Sequence, residues 1–160
     1  MIEIFSNRIE ITNPGKPLID TKRFIDHSPE SRNEKLAGLM RRIGFCEERG
    51  SGIDKVIFQI ELFQLPAPEF IEGANFTRVI IHSPKTPRQM SKSDRVRACY
   101  QHCCLKYVSG ENMSNQSLRQ RLGIEDKNYP IVSRIIKDSI DSGMIKEYDN
   151  ARMYIPFWAG

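Results

Sequence analysis

Three groups of residues in this 160-residue chain have types and spacings that could do chemistry. The first is Gly50-Ser51-Gly52, which runs straight into an apolar-periodic stretch. Backbone amides at a helix start attract anions, and glycines let a phosphate come close. A short Gly-x-Gly turn is also a common way to enter a helix, so spacing alone leaves both readings open. The second group is Cys99, His102, Cys103 and Cys104. On a helix, Cys99 and Cys103 share an apolar stripe with Val96, Tyr100 and Tyr107, whereas His102 lies off it. No second ligand pair with zinc spacing occurs elsewhere, so these read as core thiols and no metal is expected. Cys46 stands alone and reads the same way. The third group is Asn128, Tyr129, Ser133, Arg134 and Lys137, a polar and basic set at helical spacing that could face a nucleic-acid groove.

Positioning that third group takes two helices and a turn. Ser114 is a good N-cap, Leu118 and Leu122 share a helix face, and Gly123 can end that helix in the left-handed conformation. Pro130 suits the first turn of a second helix, with Asn128 or Tyr129 as its cap. Val132, Ile135, Ile136, Ile140 and Met144 give that helix a buried stripe opposite the basic face. Gly143 ends it, and Ile145–Tyr148 and Met153–Phe157 read as a hairpin wing. The pattern is a winged helix-turn-helix, whose second helix would enter the DNA major groove. Arg119, Arg121 and the wing residue Arg152 would contact phosphates. Helix-turn-helix cores also serve as protein-protein modules, which is the bland reading of the same residues.

Upstream, residues 2–12 alternate as a two-stranded hairpin, with an isoleucine face buried and Glu3, Arg8 and Glu10 exposed. Asn13-Pro14-Gly15 is a turn. Residues 16–30 read as a loop with one helical turn near Phe24. A helix capped at Ser31 or Asn33 has Leu36, Leu39, Met40 and Ile43 as its inner face. A second carries Ile53, Val56, Ile57 and Ile60 and stops before Pro66 and Pro68. Glu69–Ile71 and Phe76–His82 form a closing hairpin. Residues 84–92, rich in proline, small polar and basic residues, read as a linker. Asp94–Tyr107 is then an amphipathic helix, with Val96, Cys99, Tyr100, Cys103 and Tyr107 inward.

Charge is unevenly placed. Residues 1–84 carry a net −1 and residues 85–160 a net +5, within a total of +4. The basic excess thus falls in the half with the helix-turn-helix, as polyanion binding requires. No run approaches the roughly 20 apolar residues that span a bilayer, and Met1-Ile2-Glu3-Ile4 lacks a signal peptide's basic start. No membrane partner and a cytoplasmic location are expected. The absence of a Gly-x-x-x-x-Gly-Lys-Ser/Thr loop excludes a motor helicase in this chain.

Three blocks together resemble one family: Arg8-Ile9-Glu10-Ile11-Thr12-Asn13-Pro14-Gly15, Ser31-Arg32-Asn33-Glu34-Lys35-Leu36-Ala37, and Glu47-Glu48-Arg49-Gly50-Ser51-Gly52-Ile53. They are similar to bacterial and archaeal transcriptional regulators and RecG-helicase-related proteins. Those combine an AlbA-like domain, a GHKL-ATPase-like domain and a C-terminal winged helix. Met113–Ile124 resembles the start of that winged helix. The resemblance sets Asn13 and Gly15 against the first glycine box of a GHKL nucleotide site, and Gly50, Ser51 and Gly52 against the second. The first box lacks the acidic residue that reads adenine. The helix bearing the metal-binding asparagine and the catalytic glutamate would lie upstream of Met1. The resemblance therefore implies a fragment without ATPase activity and without a cofactor of its own; ATP and Mg would belong to a full-length protein.

The expected fold is α+β. A truncated GHKL-ATPase-like segment covers residues 1–83, a linker 84–92 and a winged helix 93–160. The expected function is that of a non-enzymatic DNA-binding transcriptional regulator acting on double-stranded DNA. The alternative is an interaction module that dimerises through Trp158 and its neighbours.

Overall fold

The computed structural model describes residues 1–45, 52–148 and 152–160. Cys46 therefore lies outside the described residues. The fold is mixed α+β, with two small antiparallel sheets and five α-helices among the described residues. Strands β1 (Ile2–Phe5), β2 (Arg8–Pro14), β3 (Glu69–Glu72) and β4 (Phe76–His82) form the first sheet, in the order β1-β2-β4-β3. Both hairpins form where alternation places them. The pairing of β2 with β4 joins them, setting Arg8 opposite His82 and Pro14 opposite Phe76.

The burial of this sheet reverses the expectation. Ile2 and Ile4 are 68% and 79% exposed, whereas Glu10 is only 6% exposed. Glu10 is tolerated because its carboxylate lies 2.6 Å from Arg8 and 3.0 Å from Arg78. The hydrogen bond from Arg8, ahead of an opposing effect of burial, holds its pKa below the usual carboxylate value. Helix α1 (Glu34–Arg42) begins at Asn33, whose side chain accepts from the Leu36 amide at 3.0 Å. Its apolar face was expected to point inward. Instead Leu36, Leu39 and Ile43 are all more than half exposed, because no other element among the described residues covers that face. Helix α2 (Gly52–Leu62) does bury Ile57 and Ile60.

The second part runs helix α3 (Lys92–Val108), strand β5 (Met113–Ser114), helix α4 (Asn115–Leu122), helix α5 (Tyr129–Asp141), and strands β6 (Ile145–Tyr148) and β7 (Met153–Pro156). The Ser114 hydroxyl caps α4 by accepting from the Ser117 amide at 3.1 Å, and Gly123 ends it at φ +62°. Pro130 sits in the first turn of α5. The second sheet has the order β5-β7-β6. Strand β5 escapes a sequence reading because two residues carry no periodicity; its partner Tyr154 opposes Met113 from 41 residues away.

The two parts share one hydrophobic core. Ile25, Ile57 and Ala67 from the first cluster with Cys99, Met113, Leu118, Val132 and Ile136 from the second. Helix α3 is the seam: Ala98 through Cys104 are all buried, so this helix has no solvent stripe at its centre. Side chains of the second part reach backbone carbonyls of the Leu65–Pro68 segment. Arg97 donates to Ala67, Gln101 to Pro68 and Arg121 to Leu65. Cys99, Cys103 and Cys104 are core thiols, and burial pushes Cys99 and Cys104 up to about 12.

At the start of α3 the Asp94 carboxylate accepts from Arg97 at 2.6 Å and from the Ser91 amide at 3.1 Å. Burial opposes ionisation, but the bonds from Arg97 and Ser91 outweigh it and hold Asp94 at about 2, against an ordinary 3.8. A depressed folded-state pKa means stability that is present above about pH 4 and lost as pH falls towards 2. Asp94→Asn should therefore cost about 2 kcal/mol at pH 7. It should also flatten the acid limb of a urea-midpoint titration between about pH 4 and pH 2. An unchanged acid limb would show that Asp94 is not held by these bonds.

Candidate functional site

The outer face of α5 is where the sequence places a groove reader. Tyr129 is 58% exposed, and Ser133, Arg134 and Lys137 are exposed beside it. Asn128 is half-buried at the helix start. The face is set from behind, because Val132, Ile135 and Ile136 on the opposite side are buried against α3 and α4. Asn115 of α4 donates to the Ser133 hydroxyl at 3.1 Å, tying the two helices at the surface. Neither Arg134 nor Lys137 has an ion-pair partner among the described residues, so both charges are available to an anion.

The three arginines expected on phosphates fare differently. Arg152 is exposed in the left-handed region at φ 54° and carries no ion pair among the described residues. Arg119 is partly withdrawn, with Nη1 2.6 Å from the Asp126 carboxylate. Arg121 turns inward, which corrects the expectation of a phosphate contact. It is 5% exposed, donates to the Leu65 carbonyl at 2.8 Å and lies 3.3 Å from Glu61. Burial draws its pKa below the ordinary guanidinium value, and the Glu61 carboxylate offsets this in part.

Other cations stand beside α5. A cleft of about 660 Å³ beside the start of α5 is lined by Arg88, Arg95, Lys127 and Asn128. A smaller one, about 310 Å³, is lined by Arg95, Arg134 and Asp138. Arg88 and Arg95 have no ion-pair partner among the described residues. The proximity of Arg95 to α5 follows from the packing of α3 against α5, and Arg88 reaches the same cleft from the segment before α3; spacing along the chain carries no sign of either.

The residues proposed for nucleotide are only partly in view. Asn13 and Gly15 lie at and just after the end of β2, where Gly15 has φ +94°. The Gly15 amide donates to Asn75, and its carbonyl accepts from the Thr77 hydroxyl. Gly52 is the first residue of α2, while Gly50 and Ser51 lie outside the described residues.

A buried polar chain links α2, α3 and α4. Glu61 lies 2.9 Å from His102 Nδ1, and His102 Nε2 lies 3.1 Å from the Ser117 hydroxyl. The order carboxylate, imidazole, hydroxyl matches that of a hydrolytic triad. Here the hydroxyl is engaged at the start of α4, accepting from the Ser114 amide and lying 3.0 Å from the Ser114 carbonyl. His102 is 4% exposed, which leaves no route for a substrate to reach it. The chain therefore acts as a tie between helices. Trp158, expected at a dimer contact, is also engaged internally. Its indole donates to the Tyr100 hydroxyl at 3.1 Å, packs edge-on against Tyr107 and lies under Arg23. No helix of the described residues is long and apolar enough to cross a membrane.

The first sheet with its two helices forms a RecG-related, GHKL-like part of the chain, joined to a three-helix and three-strand unit. Residues 1–81 match the family described as "Putative ATP-dependent DNA helicase recG C-terminal", and the chain belongs to that family. No curated protein matches it. Among solved structures it is similar to the DIP2311 protein from Corynebacterium diphtheriae, with 13% identity and a TM-score of 0.45. That match covers 93% of this chain and 29% of the other, so the chain spans under a third of the length of the protein it matches.

Proposed function

We propose that this chain is the DNA-binding part of a transcriptional regulator, with residues 93–160 as a winged helix whose α5 enters a duplex groove. The observation that carries the reading is the basic face of α5, unpaired among the described residues, where Arg134 and Lys137 stand beside Tyr129 and Ser133. Arg88 and Arg95 extend it along the adjoining cleft, which Lys127 and its partner Glu125, 2.6 Å apart, also line. The order helix, strand, helix, helix, hairpin and the β5-β7-β6 pairing support it. In this reading Ser133, Arg134 and Lys137 meet bases, while Arg88, Arg95 and Arg152 meet phosphates and set register. No catalytic step is assigned to the chain, and ATP with Mg is reserved for a longer protein.

The test is fluorescence anisotropy of the full chain on labelled random-sequence duplex at about 50 and about 200 mM salt. Binding in the micromolar range that weakens by a factor of about 10 or more between the two salts is expected. Arg152→Ala should weaken binding to every sequence alike and lower the salt slope by about one phosphate contact. Absence of binding at both salts would reject the reading. The second reading, a protein-interaction or dimerisation module, is favoured by one observation. The face of β1 that carries Ile2 and Ile4 is left open, as is the apolar side of α1. Sedimentation of the full chain would show self-association if that reading holds.

A further inference from the structure

A cavity of about 730 Å³ opens between the 3-10 turn at Thr21–Arg23, strand β3, helix α3 and the segment after α5. Phe70, Val96, Tyr100 and Met144 give it apolar walls, and Lys22 and Lys92 stand among its lining residues. The strongest hydrogen-bonding groups around it are already engaged. Arg97 is held by Asp94, Glu69 and the Ala67 carbonyl. The Tyr100 hydroxyl donates to the Lys22 carbonyl and accepts from Trp158. Gln101 is buried with its amide nitrogen on the Pro68 carbonyl, and its Oε1 has no partner.

The charge of the lining is one-sided. No carboxylate lines the cavity and the Lys22 amine has no ion pair among the described residues, whereas the exposed Lys92 amine pairs with half-buried Asp138 at 2.8 Å. A site of this volume suits a small molecule, whose apolar body would fill the walls while a few polar groups fix its orientation. We infer that this cavity is a binding site for a small, single-charged carboxylic acid with an apolar body, its carboxylate at Lys22. Ser142 and Met144, which directly follow α5, line the same cavity. An occupant would therefore bear on the end of the helix proposed to face DNA, and that regulatory consequence rests on the DNA-binding reading.

The probe is 2-naphthoate, with neutral 2-naphthamide as its uncharged twin, titrated into the full chain without DNA. The chain has one tryptophan, and the Trp158 indole bonded to Tyr100 supplies a single N–H resonance next to the cavity wall. A saturable shift of that resonance is expected for 2-naphthoate. Lys22→Glu reverses a charge at the exposed rim and should weaken 2-naphthoate about tenfold while leaving 2-naphthamide unchanged. Val96→Phe should weaken both by filling the apolar wall. Equal 2-naphthoate affinity in the wild type and Lys22→Glu would overturn the site, as would no saturable shift up to about 5 mM. Because the readout needs no DNA, a failed duplex-binding experiment and a failed cavity experiment are told apart.

Discussion

Glu61→Leu is expected to lower the stability of the full chain by about 3–5 kcal/mol, the cost of leaving a buried cation without its counter-charge. The carboxylate of Glu61 stands between His102 and Arg121, at 2.9 and 3.3 Å. Arg121 is already poorly served, since Nε and Nη1 make no hydrogen bond in the structure. Its remaining support is the Leu65 carbonyl. Desolvation, which favours the neutral form of a buried base, would then act unopposed on a group that cannot readily give up its proton. The fall should appear as a lower urea midpoint at unchanged slope. The double variant Glu61→Leu with Arg121→Met removes both charges and should recover a large part of the loss, because a well-packed apolar pair is often as stable as a buried ion pair. A loss below about 1 kcal/mol in the single variant would mean that water reaches Arg121.

Under the proposed DNA-binding function, Arg134→Ala should have the largest functional effect. The side chain is exposed and has no ion pair among the described residues, so folding should change by less than about 0.5 kcal/mol. Binding to a selected duplex site should fall by about 1–3 kcal/mol, because a guanidinium donating to the two acceptors of a guanine edge would be removed. Affinity for random duplex should change much less. The contrast separates base reading from phosphate tracking, and anisotropy with the selected and random duplexes measures both. Unchanged affinity for the selected site would remove α5 from the groove.

Local chemistry determined much of this protein. Asn33 and Ser114 cap helices by accepting from amides three residues on, and Gly123 ends α4 because a left-handed residue costs glycine little. The buried stripe Val132, Ile135 and Ile136 and the exposed Ser133, Arg134 and Lys137 opposite it follow from a single 3.6-residue period. The candidate groove-facing helix was for that reason readable in the sequence.

What periodicity cannot supply is the number of surfaces that an element meets. Helix α3 reads as amphipathic, yet Gln101 and His102 are buried because α2 and the Leu65–Pro68 segment close over its second side. Arg121 looks like a surface cation and becomes a buried one for the same reason. In the opposite sense, the isoleucine face of β1 and the leucines of α1 have the spacing of core residues and remain open, because no element among the described residues lies over them. Alternation marks which side of a strand is apolar; only the arrangement of the other elements decides whether that side is covered. The clustering of Arg88 and Arg95 beside α5, and the cavity between Lys22 and Met144, belong to that second kind of information. Each unites residues far apart in the chain, and long-range packing alone brings them within reach.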